Sequence, residues 1–375
     1  MARKRVCFVL PSLHGGGAER AAVHILNALD PTVWDRSMYL FRREGAYLDA
    51  VDGAIALSSG DVSSRIGRWT ALRRHFVATR PDLIVSFLSY LSVLSAASAA
   101  RIGARVIFNQ QTPMSAFLTD QDYHWRRPWH RRVFSWASRY GYRKADAIVA
   151  TSAGVADDLA AAFGVPAGHI HVIHNPIDLD AIAAAAGEAI DKELASAWQR
   201  PVIVAAGRLA DAKNYPLLIE AVALLRSRLP VQLIILGTGD REASLRALVA
   251  EKQMGRVVTF AGFQQNPWKY MARADVFALS SRYEGFGNVI VEAMACGVPV
   301  VATSSPGTRE IVADEIDGLL VDRHEPAALA AALARVLEEP GLRARMADEA
   351  RRRVVRFALP HVASAYDSMF RGVLA

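Results

Sequence analysis

Residues 275–303, D-V-F-A-L-S-S-R-Y-E-G-F-G-N-V-I-V-E-A-M-A-C-G-V-P-V-V-A-T, are the stretch that decides the fold. An apolar run leads into a glycine-rich turn, Glu284-Gly285-Phe286-Gly287, and a helix-like segment begins at Asn288 and stops at Gly and Pro before a second apolar run. This order of strand, loop, helix and strand is typical of a parallel sheet covered by helices. Glu284 then lies in the loop, and Glu292 lies about 6 Å along the helix axis from Asn288.

The same alternation occurs in two series along the 375 residues. The first series of apolar runs is R-V-C-F-V-L, D-L-I-V-S-F, R-V-I-F-N and D-A-I-V-A-T, and the second is P-V-I-V-A-A-G, V-Q-L-I-I-L-G, V-V-T-F-A-G, D-V-F-A-L-S and P-V-V-A-T. The sequence therefore predicts an α/β protein with two doubly wound domains, residues 1–178 and 179–359. The alanine-rich stretch 179–200 is predicted to contain a helix.

Cysteine content and hydropathy bear on the compartment. Cys7 and Cys296 show no disulfide pattern, which fits a reducing cytoplasm. The N-terminus reads as a strand and not as a signal peptide. Residues 83–100 carry no charge, but serines interrupt the run, so we interpret it as a strand and a buried helix and not as a membrane span.

The net charge of +7 is concentrated in the first half of the chain. Residues 1–180 contain 21 Lys and Arg against 15 Asp and Glu. Residues 124–144 interleave aromatic and basic side chains, which suits an anionic membrane surface. The alternative is a helix with a buried aromatic face and a solvated basic face. No nucleic-acid module surrounds the stretch, so nucleic acid is not expected as a partner.

Three glycine-containing turns follow predicted strands. Gly15-Gly16-Gly17 opens a helix whose N-terminus can accept an anion; it is not the G-x-G-x-x-G pattern, so a redox dinucleotide is not expected and a merely structural turn is the alternative. Arg208 and Lys213 follow Gly207 at a strand end, where cations bind phosphate or are simply solvated. Gly237 begins a third turn, with a weaker signal.

Glu284 and Glu292 lie on either side of a helix N-terminus that can accept phosphate. Carboxylates bind hydroxyl groups, so this arrangement suits a diphosphate flanked by two polyols. Such a molecule is a nucleotide sugar.

These motifs resemble those of the retaining, nucleotide-sugar-dependent glycosyltransferases of family four. The segment E-G-F-G-N-V-I-V-E-A-M-A-C-G-V-P-V-V-A-T resembles the E-x7-E signature, and G-R-L with K-N, V-I-H-N-P-I-D and G-G-G-A-E-R resemble its other marks, in the family's order. The resemblance implies the GT-B fold: two facing Rossmann-like domains with an interdomain cleft, residues 1–178 on the acceptor side and 179–359 on the donor side. It also implies that a helix at about 360–375 packs back on the first domain, and that neither a metal nor a cofactor is required.

The resemblance also implies roles for individual residues. Glu292 would bind the donor ribose, Glu284 would contact the transferred sugar, and Arg208 and Lys213 would neutralise the leaving diphosphate. Further donor contacts would come from Gly16, Gly17, Gly237, Phe263, Phe286, Gly287, Asn288 and Val289.

Two departures from the family pattern concern histidines. Many relatives have a histidine after a middle strand of the first domain, where this chain reads I-F-N-Q-Q-T-P, so Asn109, Gln110 or Gln111 would supply an acceptor-side contact. V-I-H-N-P replaces V-I-P-N-G, and we interpret its His174 as a packing or hinge residue. His14 is a candidate general base, but a base there suits inversion, whereas the resemblance implies retention.

We therefore expect a retaining hexosyltransferase. Its donor would be a UDP- or GDP-sugar carrying a hexose or N-acetylhexosamine, and its acceptor a lipid-linked oligosaccharide, a lipopolysaccharide or a capsule or exopolysaccharide precursor. The enzyme would be cytoplasmic, peripheral on the inner membrane. A sugar-nucleotide epimerase of the same architecture and a catalytically silent nucleotide-sugar-binding protein are the alternatives.

Overall fold

The computed structural model of the chain describes residues 3–14, 16–62, 64–119 and 128–375. They form two compact units. The first unit contains the described residues up to Pro176 together with Phe357–Ala375, and the second unit contains Ile177–Arg356.

The first unit is built on a seven-stranded sheet in the described residues. All its neighbouring strands pair in parallel, in the order β3-β2-β1-β4-β5-β6-β7. The strands are β1 Lys4–Leu10, β2 Trp34–Leu40, β3 Ala56–Ser59, β4 Leu83–Phe87, β5 Arg105–Gln110, β6 Ala147–Ala150 and β7 Ile170–Val172. The helices are α1 Gly17–Ala28, α2 Arg65–Thr79, α3 Ser89–Ala99, α4 Met114–Thr119, α5 Pro128–Tyr142, α6 Ala153–Phe163 and α15 Leu359–Leu374.

The second unit repeats this arrangement with six strands, in the order β10-β9-β8-β11-β12-β13. The strands are β8 Val202–Ala206, β9 Gln232–Leu236, β10 Val258–Gly262, β11 Val276–Leu279, β12 Val300–Thr303 and β13 Gly318–Val321. The helices are α7 Leu179–Ala186, α8 Tyr215–Leu225, α9 Glu242–Glu251, α10 Trp268–Met271, α11 Asn288–Ala295, α12 Pro306–Ile311, α13 Pro326–Glu338 and α14 Pro340–Val354.

Both sheets have the Rossmann strand order, in which the chain reverses direction across the sheet between the first and fourth strands. Ligands bind at the carboxyl ends of the strands at that switch point. The switch points are β1/β4 in the first unit and β8/β11 in the second. The predicted α/β class with two doubly wound domains is thus confirmed.

The uncharged segment 83–100 forms β4 and α3, as predicted. Ser86, Ser92, Ser95 and Ser98 are buried within the first unit, and Ser95 donates to Ser86 through the two hydroxyls at 3.1 Å. In the part of the chain that the structure describes, every helix is too short or too polar to cross a bilayer.

The last helix, α15, completes one face of the first sheet. Phe370 packs edge-on against Phe8 and Trp34, with ring centroids 6.3 and 5.8 Å away. The Trp34 indole N–H donates to Asp367 Oδ1 at 2.6 Å. The core of the first unit therefore includes residues from both ends of the described chain.

Candidate active site

The loops after β8 and β11 meet at the switch point of the second sheet. Asp211–Lys213 form a short 3₁₀ turn, which ends at Asn214 with a φ of 48° before α8 begins. The Lys213 ammonium then pairs with Glu284 Oε1 at 2.6 Å. The two side chains are 22% and 10% exposed, so the pair is mostly shielded from water. The sequence predicted both residues for the site but not their contact with each other.

Hydrogen bonds hold the two loops together. Ser281 Oγ donates to Glu284 Oε1 at 2.6 Å, and Ser280 Oγ donates to the Lys213 carbonyl at 2.9 Å. The Arg282 backbone N–H donates to the Ala212 carbonyl at 2.8 Å. The Lys213–Glu284 pair is thus positioned by the backbone of both loops.

Tyr215, in the first turn of α8, supports the same corner. Its hydroxyl donates to the Gly207 carbonyl at 3.1 Å. Burial, with a smaller contribution from the Glu284 charge, raises the pKa of the Tyr215 phenol well above its usual range. The phenol therefore stays protonated and keeps its hydrogen bond.

The turn after β9 requires a glycine. Gly237 has a φ of +136°, and a Cβ there would lie 2.1 Å from the Gly207 carbonyl oxygen. Larger residues are excluded by backbone contact, which explains Gly237 without a ligand. Arg208, beside this contact, is exposed and forms no ion pair within the described residues.

The N-terminus of α11 follows directly on the Glu284 loop. Gly287, with a φ of +104°, caps the helix. Asn288 and Val289 in the first turn are partly exposed, whereas Phe286 is buried. The peptide N–H groups of a first helical turn lack intrahelical partners, so this turn suits an anion.

Glu292 lies one turn further along α11. It is 1% exposed, and its Oε2 accepts the Trp268 indole N–H at 2.9 Å. Phe263, one of the predicted donor contacts, follows β10 and is 51% exposed. Glu284, Lys213 and the start of α11 thus lie together, while Glu292 has a partner that the sequence did not predict.

In the first unit, Gly16 caps α1 and is exposed, as is Gly17. His14 is exposed, and its Nε2 lies 2.9 Å from Glu44 Oε1. Arg42 binds the same carboxylate oxygen at 3.0 Å. A role for His14 as a base stays a prediction.

The polar run at the end of β5 forms hydrogen bonds within the first unit. Asn109, which is buried, donates its amide to the Tyr366 hydroxyl at 2.7 Å, and Gln111 donates to Asn109 Oδ1 at 2.5 Å. Asn175 and Gln111 exchange amide hydrogen bonds at 2.8 and 3.1 Å. Gln110 is also buried and donates to the Thr112 carbonyl at 2.6 Å. This hydrogen-bond network connects β5 to α15. A contact between these amides and the acceptor stays a prediction.

His174 packs edge-on against Phe357, with ring centroids 5.2 Å apart. His174 lies close to the end of the first chain segment of this unit, and Phe357 begins its second segment. This contact is consistent with the packing role expected for His174.

Sequence reasoning missed two side chains that hold the glutamates, Ser281 and Trp268. Ser281 had a local signal, since it precedes Glu284 by three residues in a loop. Trp268 lies in N-P-W-K-Y, 24 residues before Glu292, and only the pairing of secondary-structure elements brings the two together. Spacing alone gives no signal for a contact of that kind.

Comparison with known proteins adds to this geometry. The model described as "Glycosyltransferase Family 4" matches residues 15–181, and the model described as "Glycosyl transferases group 1" matches residues 187–353.

Two curated relatives illustrate the similarity. The chain is 37% identical over 217 residues to an N-acetylgalactosamine-N,N'-diacetylbacillosaminyl-diphospho-undecaprenol 4-alpha-N-acetylgalactosaminyltransferase of Campylobacter jejuni, covering 58% of the chain and 57% of the relative. It is 36% identical over 168 residues to the lipopolysaccharide core biosynthesis glycosyltransferase LpsE of Rhizobium meliloti, covering 44% and 48%. The chain thus spans about half the length of these relatives.

Among solved structures, HepE of Anabaena in complex with UDP-glucose superposes with a TM-score of 0.83 at 22% identity, covering 98% of this chain and 99% of that one. WaaG, a glycosyltransferase involved in lipopolysaccharide biosynthesis, superposes with a TM-score of 0.78 at 18% identity, covering 97% and 99%. These likenesses concern the fold.

Proposed function

Because the chain belongs to the group 1 glycosyltransferases, we propose that it transfers a hexose or N-acetylhexosamine from a nucleoside-diphosphate sugar to a saccharide acceptor. The observation that carries this proposal is the Lys213–Glu284 pair beside the N-terminus of α11, at the switch point of the second sheet. A cation and a row of peptide N–H groups at that position suit a diphosphate.

In the proposed reaction, a bond forms between an acceptor hydroxyl oxygen and the anomeric carbon while the bond from that carbon to the diphosphate breaks. The departing phosphate oxygen takes the acceptor proton, so the acceptor hydroxyl lies on the face of the sugar that the diphosphate leaves. Bond formation on that face retains the anomeric configuration. Arg208, Lys213 and the first turn of α11 stabilise the charge that develops on the diphosphate. Glu284 holds the sugar hydroxyls and Glu292 the ribose hydroxyls.

The donor is proposed to be a UDP-sugar, with GDP-sugars as the next class to test. HepE, whose fold this chain shares, was solved with UDP and with UDP-glucose, which supports that order of testing. Thermal unfolding with UDP-, GDP-, ADP- and dTDP-sugars, with EDTA present, tests donor class and metal independence together. A ligand at about 100 times its dissociation constant stabilises the protein by ~2.7 kcal/mol. Glu292→Ala is expected to reduce the shift, because the ribose contact is lost while the diphosphate contacts remain, and absence of a shift with all four classes in the wild-type protein contradicts the proposal.

The acceptor is proposed to be lipid-linked. The Campylobacter relative is named for a diphospho-undecaprenol acceptor and the Rhizobium relative for lipopolysaccharide core synthesis. Acceptors of this kind are held at a membrane, so the enzyme would act as a peripheral protein on its cytoplasmic face.

Helix α5 supports this membrane contact. Trp129, Val133, Trp136 and Tyr140 follow one another at helical spacing and are 53%, 53%, 70% and 57% exposed. The alternative of a buried aromatic face is therefore wrong for these residues. Residues 124–127 of the predicted stretch lie outside the described part of the chain.

Basic side chains accompany this exposed stripe. Arg131, Arg132 and Arg139 line a groove together with Trp136. Aromatic side chains at the headgroup level with arginines on lipid phosphates are typical of a helix that lies on an anionic membrane.

Vesicle sedimentation tests the membrane contact. We expect binding to vesicles containing anionic phosphatidylglycerol at low salt, and weak binding to phosphatidylcholine vesicles. Trp136→Ser is expected to weaken binding, whereas Leu224→Ser, which changes an exposed apolar residue of α8 in the second unit, is the control. Equal binding of all three proteins contradicts the proposed role of α5.

A further inference from the structure

Trp268 donates its indole N–H to the buried carboxylate of Glu292, at 2.9 Å from Oε2. We propose that Trp268 is a positioning residue, which sets the orientation of the Glu292 carboxylate for the ribose hydroxyls of the donor. The inference rests on the proposed function, because that function places the ribose at Glu292.

The carboxylate needs an orienting partner. Glu292 is 1% exposed, and a carboxylate removed from water is stable when hydrogen-bond donors reach it. Its two oxygens offer about four acceptor positions, so an oxygen that receives the indole N–H can still receive a hydroxyl. The indole is a neutral donor, and the contact therefore orients the carboxylate without cancelling its charge.

Trp268 is itself attached to the helix that carries Glu292. Its carbonyl oxygen lies 3.8 Å from Cys296 Sγ, within hydrogen-bonding distance for sulfur. Cys296 caps the C-terminus of α11 and follows Glu292 by four residues, so the two lie on the same side of the helix. Burial, with the Glu292 charge adding to it, raises the pKa of the Cys296 thiol to about 12, so the thiol stays protonated as a donor. Trp268 thus contacts α11 through both its side chain and its backbone.

The segment before Trp268 is also fixed. The Asn266 side chain accepts the Trp268 backbone N–H at 3.1 Å and donates to the Ala185 carbonyl, at the end of α7, at 2.8 Å. The next residue, Lys269, pairs with Asp191 at 2.7 Å. A tryptophan with its backbone held on both sides can impose an orientation on the carboxylate that it contacts.

The test compares nucleotides with and without ribose hydroxyls. Isothermal titration calorimetry measures binding of UDP and GDP and of their 2′,3′-dideoxy counterparts to wild-type protein and to Trp268→Phe. We expect Trp268→Phe to bind the ribonucleotide about 10-fold more weakly, the scale of a hydrogen bond to a charged group, and the dideoxy nucleotide within about twofold of wild type. The discrimination between the two should fall accordingly.

Two further variants separate the hydrogen bond from packing. Trp268→His can restore a ring N–H and is expected to recover part of the discrimination. Trp198→Phe is the matched control, because the Trp198 indole donates to the Arg273 carbonyl at 2.9 Å and is not a partner of Glu292. In a Glu292→Ala background, Trp268→Phe should have no further effect on ribose discrimination.

The outcomes distinguish this inference from the function on which it rests. If wild-type protein binds neither UDP nor GDP, the proposed function fails. If wild-type protein discriminates and Trp268→Phe discriminates equally well, Trp268 has no positioning role. If Trp268→Phe does not fold, the binding of ribonucleotides and dideoxynucleotides is compared for Trp268→His. Complete loss of ribose discrimination in Trp268→His would then contradict the inference.

Discussion

Replacing Lys213 by Ala removes the cation that the structure places against Glu284. In the proposed reaction this cation also stabilises the negative charge that develops on the leaving diphosphate. Loss of one such stabilising group costs about 3 kcal/mol in well-studied sites. We therefore expect kcat/KM for transfer to fall by about 100- to 1000-fold.

The same change also breaks an ion pair, and this effect has to be measured separately. Lys213 and Glu284 are 22% and 10% exposed, which places the pair between surface and buried cases. We expect a loss of about 1–2 kcal/mol in the free energy of unfolding, since Ser281 still donates to Glu284. For a domain of this size that corresponds to roughly 2–8 °C in Tm.

Arg343→Ala provides the matched control. Arg343 pairs with Asp275 at 2.7 Å just before β11, whereas Glu284 follows the carboxyl end of the same strand. This variant should lose similar stability and retain transfer activity. A Lys213→Ala protein that keeps kcat/KM within about threefold of wild type would refute the assignment of Lys213 to the leaving group.

Three other predictions test the structure and the chemistry. Tyr366→Phe removes the hydroxyl that accepts a hydrogen bond from Asn109. Urea unfolding should show a loss of about 1–2 kcal/mol in the free energy of unfolding. No loss would mean that this contact is absent in solution. The Lys269 ammonium and the Tyr270 hydroxyl lower the pKa of Asp191 below its usual value of 3.8. The stabilisation is therefore present above that pH and is lost as pH falls through the lower pKa of the folded state. The Tm difference between wild type and Asp191→Asn should shrink over this acidic range, and a difference that stays constant would exclude the linkage. NMR of the product should show the anomeric configuration of the donor, and an inverted linkage would overturn the retaining assignment and make His14 the first candidate base.

In the first sheet, the strands that the apolar runs predicted are mostly buried. β1, β4, β5 and β6 in the first sheet are continuous apolar runs because helices cover both faces. The missed strands β3 and β7 are short edge strands with exposed residues, so they carry little apolar signal.

The missed strand β2 is interior, and its sequence is misleading for a different reason. Its Arg36 is 6% exposed, yet the guanidinium binds the Asn27 carbonyl at 2.8 Å and Asp52 at 2.9 Å. A buried arginine satisfied by partners 9 and 16 residues away reads in the sequence as a solvated charge.

The candidate site divides in the same way. Lys213, Glu284 and Glu292 were predictable because strand ends and helix starts place them by local rules. Trp268 depends on a contact between α10 and α11, and Asn109 on a contact between β5 and a helix more than 240 residues later. Contacts of this kind depend on tertiary packing, which local patterns do not encode.

The incorporation of α15 into the first unit has a consequence for biosynthesis. While a ribosome synthesises residues 177–356, the face of the first sheet that contains Phe8 and Trp34 is covered by α1 but lacks the cover that α15 supplies. At about 5–20 residues per second this interval lasts roughly 10–40 s. The whole second Rossmann unit is therefore synthesised before the first is complete, and the aromatic surface that awaits α15 is one that a ribosome-associated chaperone would meet.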